Sequence, residues 1–418
     1  MYKSPHQRKQ WLAWLYMAIW SLIIFVTIPM ARAIQKCVTL QWSREAFTYA
    51  VCGVIFLAFA AAIFYVHRRR PIARNSYLWL TAIGALFFGY TIEIGKRAPE
   101  EAVHFVQYGV LGFLAYRALS CRLDDSSIYF AAAIVCGMIG TLDEFVQWLT
   151  PQRFWGLSDI WLNFFAAALV QIAIAKGFKP TNATRCPGPE NLRFVCRLAI
   201  GAVFLFFASL LITPPRIAWV SERIGWLAFL KKNESVMVEY GYLYQDPDVG
   251  IFRSRFAPLE LLEMDRRRAV EVAKILDQFK EGQSYGTFLR LYNPISDPFV
   301  HEARVHLFRR DSYFYIAGKH KEDPKEHARC LDIAYRENLI MTKYFSNTLQ
   351  HSSYVWAAER LDLARRHLLN GGNYDSEVSQ TIITRISEPR VVGFFMMLIL
   401  GLILIDLYLG KAPKNTPG

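Results

Sequence analysis

The sequence lacks the cysteine patterns that mark metal sites and disulfide frameworks. It contains seven cysteines, and no two of them form a Cys-x-x-Cys pair or stand at another metal-ligand spacing. It also lacks internal repeats and low-complexity tracts, which excludes solenoid and fibrous architectures. We therefore expect no metal site, no cofactor and no disulfide framework.

Charged residues are scarce as well, at 20% of the chain, whereas hydrophobic residues make up 53%. The apolar residues are concentrated in blocks, and a block of about 20 apolar residues can cross a bilayer as a helix. The sequence therefore predicts a mostly α, polytopic membrane protein with about eight transmembrane helices. The candidate spans are Trp11–Met30, Ala46–Val66, Tyr77–Ile94, Ala102–Leu119, Ile128–Trp148, Ile160–Ile174, Leu198–Ile212 and Val391–Leu409.

The net charge of +13 would suggest a nucleic-acid partner in a soluble protein, but its distribution favours another explanation. Lys and Arg accumulate in cytoplasmic loops next to membrane helices. With the N-terminus in the cytoplasm, the basic residues at 67–70, Arg122, Lys176–Arg197 and Lys411 all lie inside. We therefore predict cytoplasmic termini and no nucleic-acid partner. The outer segments are then Ala31–Glu45, Gly95–Glu101, Leu149–Asp159 and Thr213–Arg390.

The pattern of spans and linkers divides the chain into five regions. Gly and Pro residues between 180 and 189 mark a linker after the sixth span. The segment after the seventh span is rich in charge and long enough to hold a core of its own. The regions are two lead-in helices with a basic cytoplasmic loop (1–76), a four-helix membrane domain (77–174), a cytoplasmic linker with the seventh helix (175–212), an extracytoplasmic domain (213–390) and the eighth helix with a short cytoplasmic tail (391–418).

Local signals in residues 213–390 predict an α+β domain. Asp246-Pro247-Asp248-Val249-Gly250 separates two strand-like runs and predicts a β-hairpin. Pro258 predicts the start of a helix that ends near Lys280, and Asp323-Pro324 predicts another that runs, with a break near Ser352, to Asn370. Residues 302–308 alternate apolar and polar side chains, which predicts a half-buried strand that turns into Tyr313–Ala317.

The run from His301 to His306 superficially resembles a zinc-protease motif. Three residues separate Glu302 from His306, whereas the zinc motif His-Glu-x-x-His has two. On the predicted strand, positions 301 and 306 would also point to opposite faces. We interpret Glu302, Arg304 and His306 as one face of a sheet, either exposed to solvent or lining a ligand surface.

A set of polar residues lies at the predicted outer ends of the third to sixth spans. His104 and Tyr108, Glu144 and Gln147, and Asp159 and Asn163 form pairs three or four residues apart, so each pair shares a helix face. Polar groups in membrane helices are costly unless they contact each other or water. We expect these side chains to meet in one outward-facing polar pocket, which either binds a ligand or fixes the order of the helices. The candidate residues are Lys96, His104, Tyr108, Glu144, Gln147, Arg153, Asp159 and Asn163.

The spacing of these residues resembles the VanZ-like membrane family over roughly Tyr77 to Ile174. The matching elements are Lys96, the run His104-x3-Tyr108-Gly-x-Leu-Gly, Glu144-x2-Gln147, Pro151-x-Arg153 and Asp159-x3-Asn163. The family commonly has glycines after the Asn, where this chain has Ala166 and Val170. The resemblance implies a bacterial protein of the cell envelope in the cytoplasmic membrane; the founding member is associated with low-level teicoplanin resistance.

Three functional classes remain open from the sequence. The first is a non-enzymatic envelope protein whose pocket engages an anionic amphiphile or lipid-linked precursor, while residues 213–390 bind a protein or polymer. The second is an enzyme acting on a lipid-linked phosphate, with His104 as general acid/base, Glu144 or Asp159 orienting it and Arg153 holding the phosphate. No catalytic nucleophile is evident. The third is a proton-coupled transporter that uses Glu93 and Glu144.

Overall fold

The computed structural model describes residues 5–43, 45–69, 74–99, 101–151, 153, 155–180, 185–232, 237–280, 285–368, 374–376 and 386–411. The chain forms two compact units. Unit 1 comprises Met1–Ala208 together with Phe394–Gly418, and unit 2 comprises Ser209–Gly393.

Unit 1 is built of long helices. A π-helical turn, Ala173–Phe178, continues the sixth helix, and Lys179 follows it in the left-handed backbone region (φ 45°). The last helix of the chain, α15, lies largely in this unit. The helices are α1 (Pro5–Gln41), α2 (Ala46–Arg69), α3 (Arg74–Arg97), α4 (Glu101–Leu119), α5 (Ser127–Trp148), α6 (Leu157–Ile172), α7 (Pro189–Leu210) and α15 (Glu388–Lys411).

Seven helices in the described part of the chain are long and apolar enough to cross a membrane, and they indicate a multi-pass membrane protein. The predicted fourth span forms the 19-residue helix α4, which is not among the seven. This helix carries Glu101, His104 and Arg117, which lower its apolar character. The count of eight spans therefore stays a prediction.

The predicted outer loop at Ala31–Glu45 is wrong over most of its length, because α1 continues to Gln41. The residues from Ala31 onward include good helix formers and no glycine or proline that would end the helix. Charged and amide side chains at the end of an apolar helix do not by themselves stop it. The apolar block therefore marked the span but not the helix end.

Glycines on α4 and α5 allow close approach to α6. A Cβ atom added to Gly112 would lie 3.2 Å from the Cα of Ala167, and one added to Gly140 would lie 3.1 Å from the Cβ of Asn163. Small residues at such positions let helix backbones pack closely in membranes. The small residues at these contacts therefore lie on α4 and α5, whereas α6 has Ala166 and Val170 after Asn163.

Unit 2 is mainly helical and has a small three-stranded sheet. Strands β1 (Tyr242–Asp246) and β2 (Gly250–Ser254) pair antiparallel, and β3 (Asp375–Ser376) pairs parallel with β2. A 3₁₀ helix spans Gly225–Lys232. The helices are α8 (Pro214–Arg223), α9 (Pro258–Gln278), α10 (Tyr285–Leu291), α11 (Pro298–Lys319), α12 (Pro324–Tyr344), α13 (Ser346–Gln350) and α14 (Ala358–Arg366).

Three local predictions in unit 2 are confirmed. Helix α9 begins at Pro258 and ends at Gln278, close to the predicted Lys280. The hairpin turns at 246–250, where the Asp246 carboxyl accepts hydrogen bonds from the backbone N–H groups of Asp248 (2.9 Å) and Val249 (3.0 Å). Helix α12 begins at Pro324, and the Asp323 carboxyl accepts from two N–H groups of its first turn. The predicted helix end at Asn370 and the glycines after it lie outside the described residues.

The strand predicted at 302–308 is wrong, as is the strand at 313–317, because both lie in helix α11. Asp297 caps this helix by accepting a hydrogen bond from the backbone N–H of Val300, and Pro298 occupies its first turn. Glu302 and His306 lie one turn apart and are fully buried, so they are not a solvated sheet face. Apolar residues two apart can also occur on a helix that is buried on most sides.

Candidate functional site

Helices α4, α5 and α6 pack against one another and bring most of the predicted polar residues together. His104 and Tyr108 lie one turn apart on α4, and Asn163 lies on α6 with its side chain fully buried. The approach of Gly140 to both Asn163 and the Tyr108 ring joins the three helices at this level. The polar cluster consists of His104, Tyr108, Asp143, Glu144, Gln147, Arg153, Asp159 and Asn163.

A chain of hydrogen bonds links α5 to the loop before α6. Gln147 Nε2 donates to Glu144 Oε1 (2.6 Å), and Arg153 Nη2 donates to Gln147 Oε1 (2.5 Å). The second oxygen of Glu144 accepts from the backbone N–H of Gly156 (2.9 Å). Because an arginine only donates, Gln147 must present its oxygen to Arg153 and its amide nitrogen to Glu144. The side chains thereby fix the position of the loop that carries Arg153.

Gly156 also connects Glu144 to Asp159. A Cβ atom added to Gly156 would lie 2.6 Å from Asp159 Oδ2, so the carboxyl of Asp159 packs directly against this glycine. Asp159 additionally accepts a hydrogen bond from the Ser158 hydroxyl (3.2 Å). At Gly156, the Glu144 carboxyl therefore accepts a hydrogen bond from the backbone N–H, and the Asp159 carboxyl packs beside the Cα atom.

Asp143 also belongs to the cluster, although it is not among the residues predicted from the spacing of polar side chains. Its side chain is fully buried, and its Oδ2 accepts from the Tyr108 hydroxyl (3.1 Å) and lies 3.8 Å from His104 Nδ1. The available signal was an acidic residue inside an apolar span, next to Glu144. The Asp143 carboxyl therefore takes the place beside His104 that Glu144 or Asp159 was expected to fill.

Several buried polar atoms of the cluster make no hydrogen bond to any other described residue of the protein. They are His104 Nδ1, Asp143 Oδ1, Arg153 Nε and both amide atoms of Asn163. Leaving such groups unpaired is costly, and they are therefore natural contacts for a ligand or for water. These atoms include a guanidinium donor, a carboxyl acceptor and an amide that can both donate and accept.

Lys96 is not in the cluster. It lies at the end of α3, where its side chain is exposed and pairs with Glu93 at 3.0 Å. Glu93 and Lys96 are three residues apart, so they share a helix face and can form an ion pair at the helix end. Of the eight residues named from the sequence, the other seven lie on α4, α5, α6 and the loop between the last two.

The balance of charged groups limits what the cluster can bind. It combines three carboxyl groups, from Asp143, Glu144 and Asp159, with one guanidinium and one imidazole. Unpaired charge is expensive in apolar surroundings. A suitable ligand would supply hydrogen-bond donors to the carboxyl groups and, if it also carried an anionic group, would direct that group to Arg153. In the described part of the chain, no three His, Cys, Asp or Glu side chains are grouped so that they could hold a metal ion.

The long apolar helices indicate a multi-pass membrane protein, and the polar cluster is a buried site among helices α4, α5 and α6. Comparison with protein-family models, curated proteins and solved structures found no match for this chain.

Proposed function

We propose that the chain is a VanZ-like cell-envelope protein whose polar cluster engages a lipid-linked or other anionic envelope component. The observation that carries this proposal is the juxtaposition of the fixed Arg153 with unpaired polar atoms of His104, Asp143 and Asn163. A purely structural network would be expected to satisfy its own members. A role in glycopeptide resistance or in handling envelope polymers is part of the proposal.

The ligand class follows from the charges of the cluster. The phosphate of a lipid-linked sugar would bind at the Arg153 guanidinium, because charge-assisted hydrogen bonds to arginine are strong and directional. The sugar hydroxyls would donate hydrogen bonds to the carboxyl groups of Asp143 and Asp159. A phosphate without the sugar would offer these two carboxyl groups no donors. The lipid tail would remain among the surrounding helices. The cluster therefore favours a headgroup that carries both a phosphate and several hydroxyl groups.

The proposal includes a topology. Eight spans, with α4 counted among them, would place both termini in the cytoplasm of a bacterium and the polar cluster at the outer surface of its cytoplasmic membrane. Residues 213–390 would then lie outside the cell, where they would bind a protein or polymer of the envelope. The basic residues at 67–70 and 176–197 support this orientation.

A binding titration tests this proposal. We expect the full chain in phosphatidylcholine nanodiscs to bind a polyprenyl-phosphate hexose, and Arg153→Ala to weaken binding about 10-fold or more. Arg122→Ala is the matched control. The Arg122 guanidinium carbon lies 3.9 Å from the centroid of the Phe194 ring, and Arg122 is not part of the cluster. Equal affinity of the wild type and Arg153→Ala would contradict the proposal. Free hexose phosphate should compete poorly, since it lacks the tail.

The enzymatic alternative gains one observation from the structure. His104 Nδ1 lies 3.8 Å from Asp143 Oδ2, an arrangement that could orient the ring for general acid/base chemistry after a small movement. If water hydrolyses one ester bond of the titrated phosphodiester, hexose with polyprenyl phosphate, or hexose phosphate with polyprenol, should accumulate with the wild type and not with His104→Ala. The transporter alternative has less support, since Glu93 forms an exposed ion pair with Lys96.

A further inference from the structure

A second site lies on a different side of α4 from the polar cluster. Helices α2, α3, α4 and α6 and the π-helical turn after α6 line an open apolar groove of about 930 Å³. Cavities that bind small molecules typically measure roughly 300–1,000 Å³. Its walls include Val54 and Ala62 of α2, Leu80 of α3 and Val110 of α4.

Gly109 sets the depth of this groove on the α4 side. A Cβ atom added there would lie 3.6 Å from the Phe87 ring and 3.9 Å from Val170, which is ordinary van der Waals contact. The glycine therefore leaves space between α3 and α6 without being required for their packing. Every helix that lines the groove, apart from α4, is apolar enough to span a membrane. The available occupant in such surroundings is a lipid chain or another helix.

Basic residues border one end of the groove. Tyr65 near the end of α2 and Phe178 at the end of the π-helical turn both line it, and their ring centroids are 5.9 Å apart. His67 and Arg68 come two and three residues after Tyr65, Lys176 comes two residues before Phe178, and Lys179 follows Phe178 directly. The basic groups from two separate parts of the chain therefore lie near the same end of an apolar groove.

The backbone at this end departs from a regular helix. A π-helical turn is uncommon and often occurs at functional sites. Here it is followed by Lys179 in the left-handed region, the only described residue other than glycine with a positive φ. The turn ends α6 beside the groove and redirects the chain there, so that Phe178 and Pro180 line this end.

We propose that the groove binds one acyl chain of an anionic phospholipid, whose phosphate lies against Arg68, Lys176 and Lys179. The apolar walls suit the chain, and the basic end complements the headgroup. Juxtamembrane basic residues attract anionic lipids, with each Lys or Arg contributing about a few-fold in affinity. This site shares no residue with the polar cluster and does not depend on the function proposed for it.

The test uses the delipidated full chain, phosphatidylglycerol as the probe, and native mass spectrometry to measure the bound fraction. Ala62→Phe should fill the groove and abolish binding. Ala60→Phe is the matched control, because Ala60 is exposed on the same helix and does not line the groove. The double variant Lys176→Gln, Lys179→Gln should weaken binding on the order of 10-fold without altering the groove walls.

Four results would overturn the assignment. They are undiminished binding in Ala62→Phe, an equal loss in Ala60→Phe, equal binding of phosphatidylcholine, and competition by inorganic phosphate as effective as that by lipid. A dimer that Ala62→Phe converts to a monomer, with no lipid bound, would instead assign the groove to a second copy of the chain. Arg153→Ala should leave phosphatidylglycerol binding unchanged, which separates this result from the test of the polar cluster.

Discussion

Replacing Glu337 with glutamine is expected to lower the free energy of unfolding of unit 2 by about 3 kcal/mol, because it removes the charge at the centre of a buried network. The Glu337 carboxyl is fully buried on α12. It lies 2.7 Å from His306 Nδ1 and accepts hydrogen bonds from Arg309 Nε (2.7 Å) and the Ser376 hydroxyl (2.6 Å), as well as from the Tyr374 hydroxyl. It thus ties α11, α12 and β3 together.

The effect of this substitution should depend on pH. Burial alone would raise the pKa of Glu337, but the His306 ring, the Arg309 guanidinium and the Ser376 hydroxyl lower it from the ordinary value of 4.5 to about 2. A lowered carboxyl pKa stabilises the folded state above the unfolded value and loses that effect as the pH falls. The difference between wild type and Glu337→Gln should therefore be full above about pH 5 and shrink as the pH falls through 4.5 towards 2.

Hydrogen exchange of the core amides in α11 and α12 provides the measurement. For amides that exchange only when unit 2 unfolds, a loss of about 3 kcal/mol in its free energy of unfolding corresponds to exchange that is about 100-fold faster. Glu326→Gln is the matched control on the same helix, since the Glu326 side chain is partly exposed and forms its ion pair with the helical neighbour Arg329. An equal exchange rate in Glu337→Gln and the wild type, or a difference that grows on acidification, would contradict this interpretation.

The second large effect is expected for Glu144→Gln in unit 1. Both oxygens of Glu144 accept hydrogen bonds, one from Gln147 and one from the backbone of Gly156. A glutamine at this position offers one acceptor and one donor, whereas both partners of Glu144 are donors. The new NH2 group would therefore face either the Gln147 amide nitrogen or the Gly156 N–H. Gln147 cannot resolve the conflict by reversing its amide, because its nitrogen would then face Arg153. We expect a loss of about 1–3 kcal/mol in stability and displacement of the loop that holds Arg153.

A compensating double variant makes this prediction specific. In Glu144→Gln, Gln147→Glu, the carboxyl at position 147 accepts from Arg153, while the amide at position 144 donates to that carboxyl and accepts from Gly156. In the hydrogen bonds among positions 144, 147, 153 and 156, each donor then faces an acceptor again. Thermal unfolding should show a lower midpoint for the single variant and recovery in the double variant. Equal midpoints for all three proteins would mean that the hydrogen bonds from Glu144 through Gln147 to Arg153 do not hold the loop.

The features that the sequence predicted correctly depend on local signals. Asp246 and Gly250 act within one turn, and Asp323 with Pro324 acts within the first turn of α12. The helical pairs His104 with Tyr108 and Glu144 with Gln147 are likewise set by spacing alone. Such patterns need no knowledge of which distant segments meet.

The failures involve partners that are far apart in the sequence. The alternation at 302–308 predicted a strand with Glu302 and His306 on its polar face, whereas both side chains are buried in α11 and His306 pairs with Glu337 on another helix. Asp143 was overlooked for the same reason, since its contacts are His104 and Tyr108 on α4. The polar residues of both networks become interpretable only when the helices are placed side by side.

The measurement that tests the central claim most directly is native mass spectrometry of the gently solubilised full chain. The wild type is compared with Arg153→Ala and Glu144→Gln, and the stability of each is recorded in parallel. We expect a lipid carrying a phosphate to co-purify with the wild type and to be lost from both variants. Equal retention of that lipid by all three proteins would contradict a ligand site at the polar cluster, and lower stability of the variants alone would leave the cluster a purely structural network.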